Sequence, residues 1–437
     1  MTLVEEISVE EPVPHPTPEV AAAALLFGFL LLMIGNGLQG TLIGVRSQIE
    51  GFSGLATTLV MTGYFAGFLI GAKLASRALG NVGHIRVFTA LASMASTAAL
   101  LHATFVHPAV WVAMRFLTGV CMAGLYVVAE SWLNDITTNA TRGRLLAAYQ
   151  IVTMGGFAIG QLLLRVDDPQ QFTLFVLASV LCSMALVPIA LSTSSAPALR
   201  IPEPMPLLEM AKLVPTGLVS AILIGFIQGT FMGMVAVYAT RAGLNATEVS
   251  RFMFAPMVGA VLFQYPIGRW SDRVSRRGIM LAICLVTAAI SLILMGTDPA
   301  STQAVGLMFL LGGAIFPLYS LSLAYLNDWV PPNKIVGASA TFVLAGGIGA
   351  ICGPFVAGIL MNSLGNDMYF LGLIAPSLVL ASYLVWRIAF RDAVPEDRKG
   401  RWVPVASRGS VIVAAVVSAP GRVKRPLVRG KSSRRTK

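Results

Sequence analysis

The chain has 437 residues, of which 56% are hydrophobic and only 12% are charged. Soluble domains carry about 25% charged residues, so this composition excludes an ordinary soluble enzyme and indicates an integral membrane protein. The formal net charge of +11 would suit nucleic-acid binding, but residues 391–437 hold 13 Lys or Arg against three acids and account for most of the excess.

The chain begins with an acidic, proline-rich stretch, residues 1–20, which predicts a disordered lead-in rather than a signal peptide. Twelve apolar runs follow, and each has about the 20 residues that a helix needs to cross a bilayer. The runs lie at 21–45, 55–77, 84–105, 109–133, 144–165, 171–192, 214–240, 248–269, 278–297, 301–326, 335–362 and 367–390. A Pro- and Ser-rich segment, residues 193–213, predicts a linker between a first half at 21–192 and a second half at 214–390. The sequence therefore predicts an all-α integral membrane protein with twelve transmembrane helices.

The Lys and Arg residues indicate the orientation of these helices, because loops on the cytoplasmic side are enriched in them. If both termini lie inside, the inner loops and tails hold 26 of the 31 cationic residues. The outer loops then hold Arg46, Arg165, Arg241 and Arg251. We therefore expect a multi-pass protein of a bacterial plasma (inner) membrane with both termini in the cytoplasm. Anionic lipid headgroups are the expected partner of the basic tail at 391–437, in preference to nucleic acid.

Two segments of the first half recur in the second half. LYVVAESWLND at 125–135 is answered by LYSLSLAYLND at 318–328, 193 positions later. LQGTLIG at 38–44 is answered by IQGTFMG at 227–233, 189 positions later. Both offsets align each span of the first half with the span six positions later, which has the same membrane orientation. This pattern predicts two parallel six-helix repeats with a path between them near mid-membrane.

The loop after span eight, GRWSDRVSRRG, resembles the signature loop G-x-x-x-D-R-x-G-R-R of major facilitator superfamily transporters. The residues that fit it are Gly268, Asp272, Arg273, Arg276 and Arg277. The copy after span two keeps Arg77 but has no acid. In span four, Arg115 followed by Gly119 is similar to the R-x-x-x-G element of the family. GHIRVF at 83–88, YVVAESWLND and TRGR at 141–144 resemble the YcaD-like bacterial branch.

The resemblance implies a twelve-helix secondary transporter that moves a small solute by alternating access, as a monomer and without a cofactor. Proton coupling, and therefore symport, stays open, as do the substrate and the direction of transport. Efflux of amphipathic compounds or lipids, and a sensor on the same fold that does not transport, also stay open. The sequence has no metal-ligand cluster and no GxxxxGK[ST] phosphate loop, which argues against a metal site and against ATP as the driver. It also lacks a catalytic constellation, so we do not expect an enzyme.

Glu130 is an acid within an apolar span, and the second copy has Leu323 at the matching position. Its spacing from a following R-G pair is similar to sugar-porter members of the superfamily, in which the acid joins ion pairs that shut the inner gate. The expected members of this cytoplasmic network are Glu130, Asp135, Arg142, Arg144, Arg77, Gly268, Asp272, Arg273, Arg276 and Arg277. A structural anchor at the helix end and a proton carrier remain alternatives for Glu130.

Arg115 lies toward the outer half of span four, where a cation costs about 2.5–3.5 kcal/mol on insertion scales. We therefore expect it to face the interior of the bundle. It either bonds to backbone carbonyls or forms an anion-substrate or proton-coupling site.

Polar side chains in spans one, four, seven and ten, which usually line the path in this superfamily, are candidates for the cavity, and span five adds Gln150. They are Asn36, Gln39, Tyr126, Gln150, Gln228 and Tyr319. Gln39 and Gln228 are related by the repeat and could meet across its pseudo-twofold axis. Hydrogen bonds between helices would satisfy these amides equally well. Uncharged amides and phenols suit hydroxyl-rich or zwitterionic solutes.

Overall fold

The computed structural model describes residues 18–136, 141–191, 205–331 and 333–391, together with Trp402. These residues form α-helices and the turns between them, without a β-strand. Within this part of the chain, twelve helical segments are long and apolar enough to cross a membrane. The predicted all-α, twelve-span fold is therefore confirmed.

The first half has one more helix than it has spans, because span six is broken. Its helices are α1 (Pro18–Ile49), α2 (Gly54–Val82), α3 (His84–Thr104), α4 (Pro108–Ile136), α5 (Arg142–Leu163), α6 (Thr173–Met184) and α7 (Leu186–Ala190). The break at Ala185 has a local cause. Pro188 has no N–H to offer the carbonyl of Met184, and its ring crowds that carbonyl.

The second half begins after a short helix, α8 (Leu207–Leu213), which lies within the segment predicted as a linker. Its helices are α9 (Pro215–Arg241), α10 (Ala246–Ser271), α11 (Arg276–Met295), α12 (Thr302–Trp329), α13 (Ile335–Leu364) and α14 (Met368–Phe390). Residues 1–17 and, apart from Arg391 and Trp402, the basic tail lie outside the described residues. The first transmembrane helix starts inside the stretch predicted as disordered, at Pro18.

The bundle has two ends, which we name by the chain termini. Successive spans run in opposite directions, so the start of α1 and the end of α14 lie at the same end of the bundle. We call this end the terminal face and the opposite end the distal face. The turns after α2 and α10 therefore lie on the terminal face, and those after α1 and α9 lie on the distal face.

Glycines allow repeat-related helix pairs to approach closely in both halves. A side chain at Gly67 would run into the backbone of Phe116, because α2 and α4 touch there. In the second half, a side chain at Gly259 would run into the backbone of Phe309, where α10 meets α12. Small residues at such contacts are typical of membrane bundles, in which close packing drives helix association. The repeat of the sequence is thus also a repeat of packing.

Candidate transport cavity and its two ends

A cavity of about 90 Å³ lies between the two halves, and we call it the central cavity. Its walls come from α2 and α4 of the first half and from α9, α12 and α13 of the second. The aromatic residues that line it are Tyr64, Phe65, Phe68, Tyr126, Phe316 and Tyr319. Gln228 contributes an amide, and none of the described lining residues is charged. The central cavity therefore has the mostly apolar lining, with few polar groups, that is typical of small-molecule sites.

Three of the predicted cavity residues line the central cavity, and each is held by a neighbour. The hydroxyl of Tyr126 donates to Sδ of Met33 at 3.1 Å. The Gln228 amide nitrogen donates to the carbonyl of Ile315 at 3.3 Å. The ring of Tyr319 packs edge-to-face on that of Phe342, with centroids 5.3 Å apart. These contacts fix where two phenols and one amide meet a bound molecule.

The other three predicted cavity residues lie elsewhere. Gln150 of α5 donates from Nε2 to Oε1 of Gln264 in α10 at 3.3 Å, which joins the two halves on the terminal side. Gln39 is 1% exposed, and its Nε2 has no hydrogen-bond partner among the described residues. Within that part of the chain no hydrogen bond joins Gln39 to Gln228, so the two repeat-related amides are not brought together there. Asn36 donates to the hydroxyl of Tyr64 at 3.4 Å and lines a second, smaller cavity.

Arg115 lies in the wall of this second cavity, which we call the arginine pocket. The pocket measures about 20 Å³, which is enough for about one water molecule. Arg115 is only 4% exposed, and its guanidinium carbon lies 4.6 Å from the centre of the Tyr64 ring. Thr41 and Gln161 add polar atoms to the pocket, and the Thr41 hydroxyl donates to Oε1 of Gln161. The expectation that Arg115 faces the protein interior agrees with this geometry, and Tyr64 forms a wall of both cavities.

Polar contacts join the two halves at the distal face. Arg241, at the end of α9, donates from Nε to Oε1 of Gln48 in α1 at 2.9 Å and, within its own half, from Nη1 to Oδ1 of Asn362 in α13 at 2.8 Å. Ser250 of α10 donates to the carbonyl of Gln161 in α5 at 2.7 Å. The bonds from Arg241 to Gln48 and from Ser250 to Gln161 thus join the two halves at the distal face. In the sequence, Arg241 stands out only as a loop charge, and no motif marks its partners.

Glu130 is 1% exposed and lies one helical turn beyond Tyr126 toward the terminal face. Tyr149 of α5 donates its hydroxyl to Oε1 of Glu130 at 2.9 Å. Two predicted members of the same network, Asp135 and Arg142, have side chains outside the described residues. Arg144 and Arg77 are exposed. Glu130 is thus a buried acid that is tied to its own half by a phenol.

The signature loop forms a second cluster at the terminal end of the second half. Arg276 donates from Nε to Oδ2 of Asp328 at 2.7 Å, and Asp272 lies 3.7 Å from its Nη2. Arg277 donates to the last carbonyls of α14, those of Arg387 and Arg391, at 2.8 and 3.2 Å. These described contacts lie within the second half. Asp328 was not a candidate, although it closes the recurring LYSLSLAYLND segment and answers Asp135.

Two more residues of the signature loop, Arg273 and Gly268, differ in exposure. Arg273 is exposed, and Gly268 is buried against the ring of Trp402. The structure therefore brings Asp272, Arg276 and Gly268 together around the ends of α10 and α12. It leaves Arg77, Arg144 and Arg273 at the surface of the terminal face.

The sequence profile described as Major Facilitator Superfamily matches residues 25–198 and 217–424. The chain belongs to the Major Facilitator Superfamily. It is similar to an uncharacterised MFS-type transporter of Yersinia enterocolitica, with 26% identity over 370 residues that cover 83% of this chain and 94% of the relative. It is also similar to the uncharacterised MFS-type transporter YcaD of Escherichia fergusonii, with 26% identity over 358 residues that cover 81% and 92%. The resemblance to the YcaD-like branch is therefore confirmed.

Solved structures share the fold of this superfamily member. The nucleoside transporter NupG superposes with a TM-score of 0.73 at 14% identity, covering 85% of this chain and 100% of NupG. A bacterial homologue of the human lysosomal transporter Spinster superposes with a TM-score of 0.66 at 14% identity, covering 93% and 99%. Family and fold together make this facilitator a multi-pass transmembrane transporter and not an enzyme.

Proposed function

We propose that this facilitator is a secondary transporter that carries a small, uncharged, planar solute through the central cavity by alternating access. The observation that carries the proposal is the aromatic central cavity, which both halves line. At the distal face, hydrogen bonds join the two halves. Two halves that rock around such a cavity expose it to one face at a time. The Lys and Arg distribution supports a terminal face in the cytoplasm of a bacterial cell. The joined distal end supports an inward-facing state, in which Gln150 and Gln264 still touch across the halves on the terminal side.

The chemistry of the lining suggests the class of solute. Aromatic rings bind other rings by offset or edge contacts, which contribute about 0.5–1.5 kcal/mol beyond the area that they bury. The amide nitrogen of Gln228 is engaged by Ile315, so its carbonyl oxygen is the atom that accepts from a solute N–H or O–H. An ion would find no opposite charge among the described lining residues. Neutral ring compounds with hydroxyl or amide groups are therefore the expected substrates.

Arg115 supports this site through Tyr64. Its guanidinium rests against the face of the Tyr64 ring, and a desolvated contact of this kind contributes up to about 2 kcal/mol. Tyr64 separates the central cavity from the arginine pocket. We assign Arg115 the role of positioning this ring, with a small anion or a water molecule in the pocket beside it.

Glu130 is assigned to a gate at the terminal face. The phenol of Tyr149 orients the carboxylate within the first half. When the terminal ends approach, exposed cations of the second half such as Arg273 come within reach of this acid. A proton bound by Glu130 would instead couple transport to pH, which is the symport that the superfamily resemblance leaves open.

A ligand screen tests the proposal. The purified chain in detergent is melted with neutral heterocycles, sugars, amino acids, organic acids and amphipathic cations, at two pH values. A ligand at 100 times its Kd stabilises the folded state by about 2.7 kcal/mol. We expect neutral ring compounds to raise the melting temperature of the wild type. The control Leu262→Ala should show the same rise, because Leu262 is a 57% exposed side chain of α10. Gln228→Ala should abolish the shift, whereas a shift that survives Gln228→Ala contradicts the assigned site.

Efflux of amphipathic compounds is the second candidate, because Phe65, Phe68 and Phe316 give the cavity an apolar wall. A hit confined to amphipathic cations or lipids would favour it over nutrient uptake. Flux in vesicles loaded on one side then gives the direction.

A further inference from the structure

Trp402 belongs to the C-terminal tail, yet it is only 8% exposed. Its backbone N–H donates to Oδ1 of Asp272 at 2.8 Å, and its indole Nε1–H donates to the hydroxyl of Ser320 at 3.3 Å. Its ring covers Gly268. The residue therefore fills a groove between the terminal ends of α10 and α12, and it makes both polar and apolar contacts there.

The groove depends on the absence of a side chain at Gly268. A Cβ atom at this position would overlap the indole ring of Trp402, so a larger residue would exclude the ring. The end of α14 lies near this groove, because Arg277, which follows Asp272 by five residues, donates to the carbonyl of Arg391 at 3.2 Å. Trp402 follows Arg391 by 11 residues, and 11 extended residues span up to about 36–40 Å.

The groove opens beside the transport path. Ser320 is the neighbour of Tyr319, which lines the central cavity. Gly268 lies one turn beyond Gln264, which accepts the hydrogen bond from Gln150 of the first half. Trp402 thus occupies space at the terminal mouth, next to the place where the two halves touch.

We propose that Trp402 is a plug tethered to the end of α14, a wedge that docks into the groove of Gly268, Asp272 and Ser320. The proposal rests on the alternating access proposed above. While Trp402 is docked, the end of α10 cannot close onto the first half, so the chain is held in the state that is closed at the distal face. Release of the tail permits the terminal face to close. The plug therefore inhibits turnover from within the chain.

Limited digestion with trypsin tests the docking without any substrate. Trypsin cuts after Arg401, and a docked Trp402 protects this bond, because cleavage tracks the undocked population. In the full-length protein, Gly268→Leu should raise the rate of cleavage between Arg401 and Trp402 by about tenfold. Gly278→Leu is the matched control, because a Cβ there meets its nearest neighbour, Ser275, at 3.8 Å. Equal cleavage in the wild type, Gly268→Leu and Gly278→Leu would overturn the docking.

A second variant covers the case in which Gly268→Leu does not fold. Asp272→Ala removes the acceptor of the Trp402 N–H and should also speed cleavage after Arg401. Its melting temperature confirms that the chain is intact. Protection that is unchanged in Asp272→Ala counts against the docking as well.

Distances between spin labels test the wedge. Labels at Asn81, near the end of α2, and Val274, just after α10, are two exposed, repeat-related positions at the terminal face and report how far apart the halves stand. Trp402→Ala should enlarge the population with the shorter distance, whereas Trp386→Ala, a control at a 49% exposed tryptophan of α14, should not. Superimposable distributions for the two variants would overturn the wedge. The proposed alternating access is contradicted by a different result: Trp386→Ala shows one population of label distances both without ligand and with a saturating ligand from the screen.

Discussion

The terminal ends of α4 and α12 occupy equivalent places in the two repeats, and their described buried acids, Glu130 and Asp328, stand at different positions of the repeat. In α12, Asp328 forms a buried ion pair with Arg276 at 2.7 Å. In α4, Glu130 accepts a hydrogen bond from the neutral phenol of Tyr149 at 2.9 Å, and Leu323 replaces it in the other repeat. A buried ion pair is costly to break once formed. We propose that the second half is the fixed frame and that the first half carries Glu130 as the acid of the moving gate.

The largest expected effect comes from the fixed frame. Asp328→Asn leaves the guanidinium of Arg276 with Asp272 at 3.7 Å as its acidic neighbour. Loss of one member of a buried pair costs about 3–5 kcal/mol, which should appear as a large fall in the melting temperature in detergent. Replacing both members by apolar residues of similar volume, Arg276→Met with Asp328→Leu, should recover most of the loss. A melting temperature that Asp328→Asn leaves unchanged would show that the pair does not hold the frame.

Introducing an acid at the position of the second repeat that matches Glu130 tests whether the second half tolerates a buried charge. Leu323 is 1% exposed, so Leu323→Glu buries a charge where the sequence has no matching phenol–acid pair. Insertion scales put the cost of a charge within a span at about 2.5–3.5 kcal/mol. Expression and melting temperature should both fall, while Leu323→Gln, the uncharged control, should fall less. Equal behaviour of the two variants would indicate that the second half can host an acid as readily as the first.

Removing the phenol from the first half should have a smaller effect. Tyr149→Phe deletes the hydroxyl that donates to Glu130 and keeps the ring on Phe29, 5.1 Å away between centroids. A hydrogen bond to a charged group is worth about 1.5–3 kcal/mol. The melting temperature of Tyr149→Phe should drop by less than that of Asp328→Asn. A drop as large as that of Asp328→Asn would mean that both repeats are equally fixed.

The smallest expected effect on stability is at the cavity. Gln228→Ala removes an amide bonded to one backbone carbonyl at 3.3 Å, and a neutral bond of this kind contributes about 1 kcal/mol. The melting temperature without ligand should hardly move, while the shift caused by a neutral ring compound should disappear. A large loss of stability without any change in ligand response would instead make Gln228 a packing residue.

Much of this architecture could be predicted from the sequence. Twelve apolar runs of bilayer length give the spans, and matches such as LYVVAESWLND with LYSLSLAYLND give the repeat. The break in span six was missed, because the high hydropathy of the run hides the effect of Pro188. The spans and the repeat follow from local composition, so a single sequence is sufficient to reveal them.

The contacts between distant segments could not be predicted in the same way. Gln39 and Gln228 share a repeat position, but only Gln228 lines the central cavity, because helix rotation and packing decide which face a residue presents. Arg241 counted as a loop charge, while its bonds to Gln48 and Asn362 depend on how three helices meet. Trp402 stands in a basic tail that has no periodic pattern to indicate that it docks.

The most direct test of the account is the rate of uptake by Glu130→Gln. Proteoliposomes that contain the wild type, Glu130→Gln or the control Leu262→Ala are given the solute that the ligand screen identifies, at two pH values. The account predicts that Glu130→Gln binds the solute in the melting assay but transports it about tenfold more slowly, equivalent to about 1.4 kcal/mol in the barrier. Wild-type uptake by Glu130→Gln at both pH values would contradict the assignment of this acid to the moving gate.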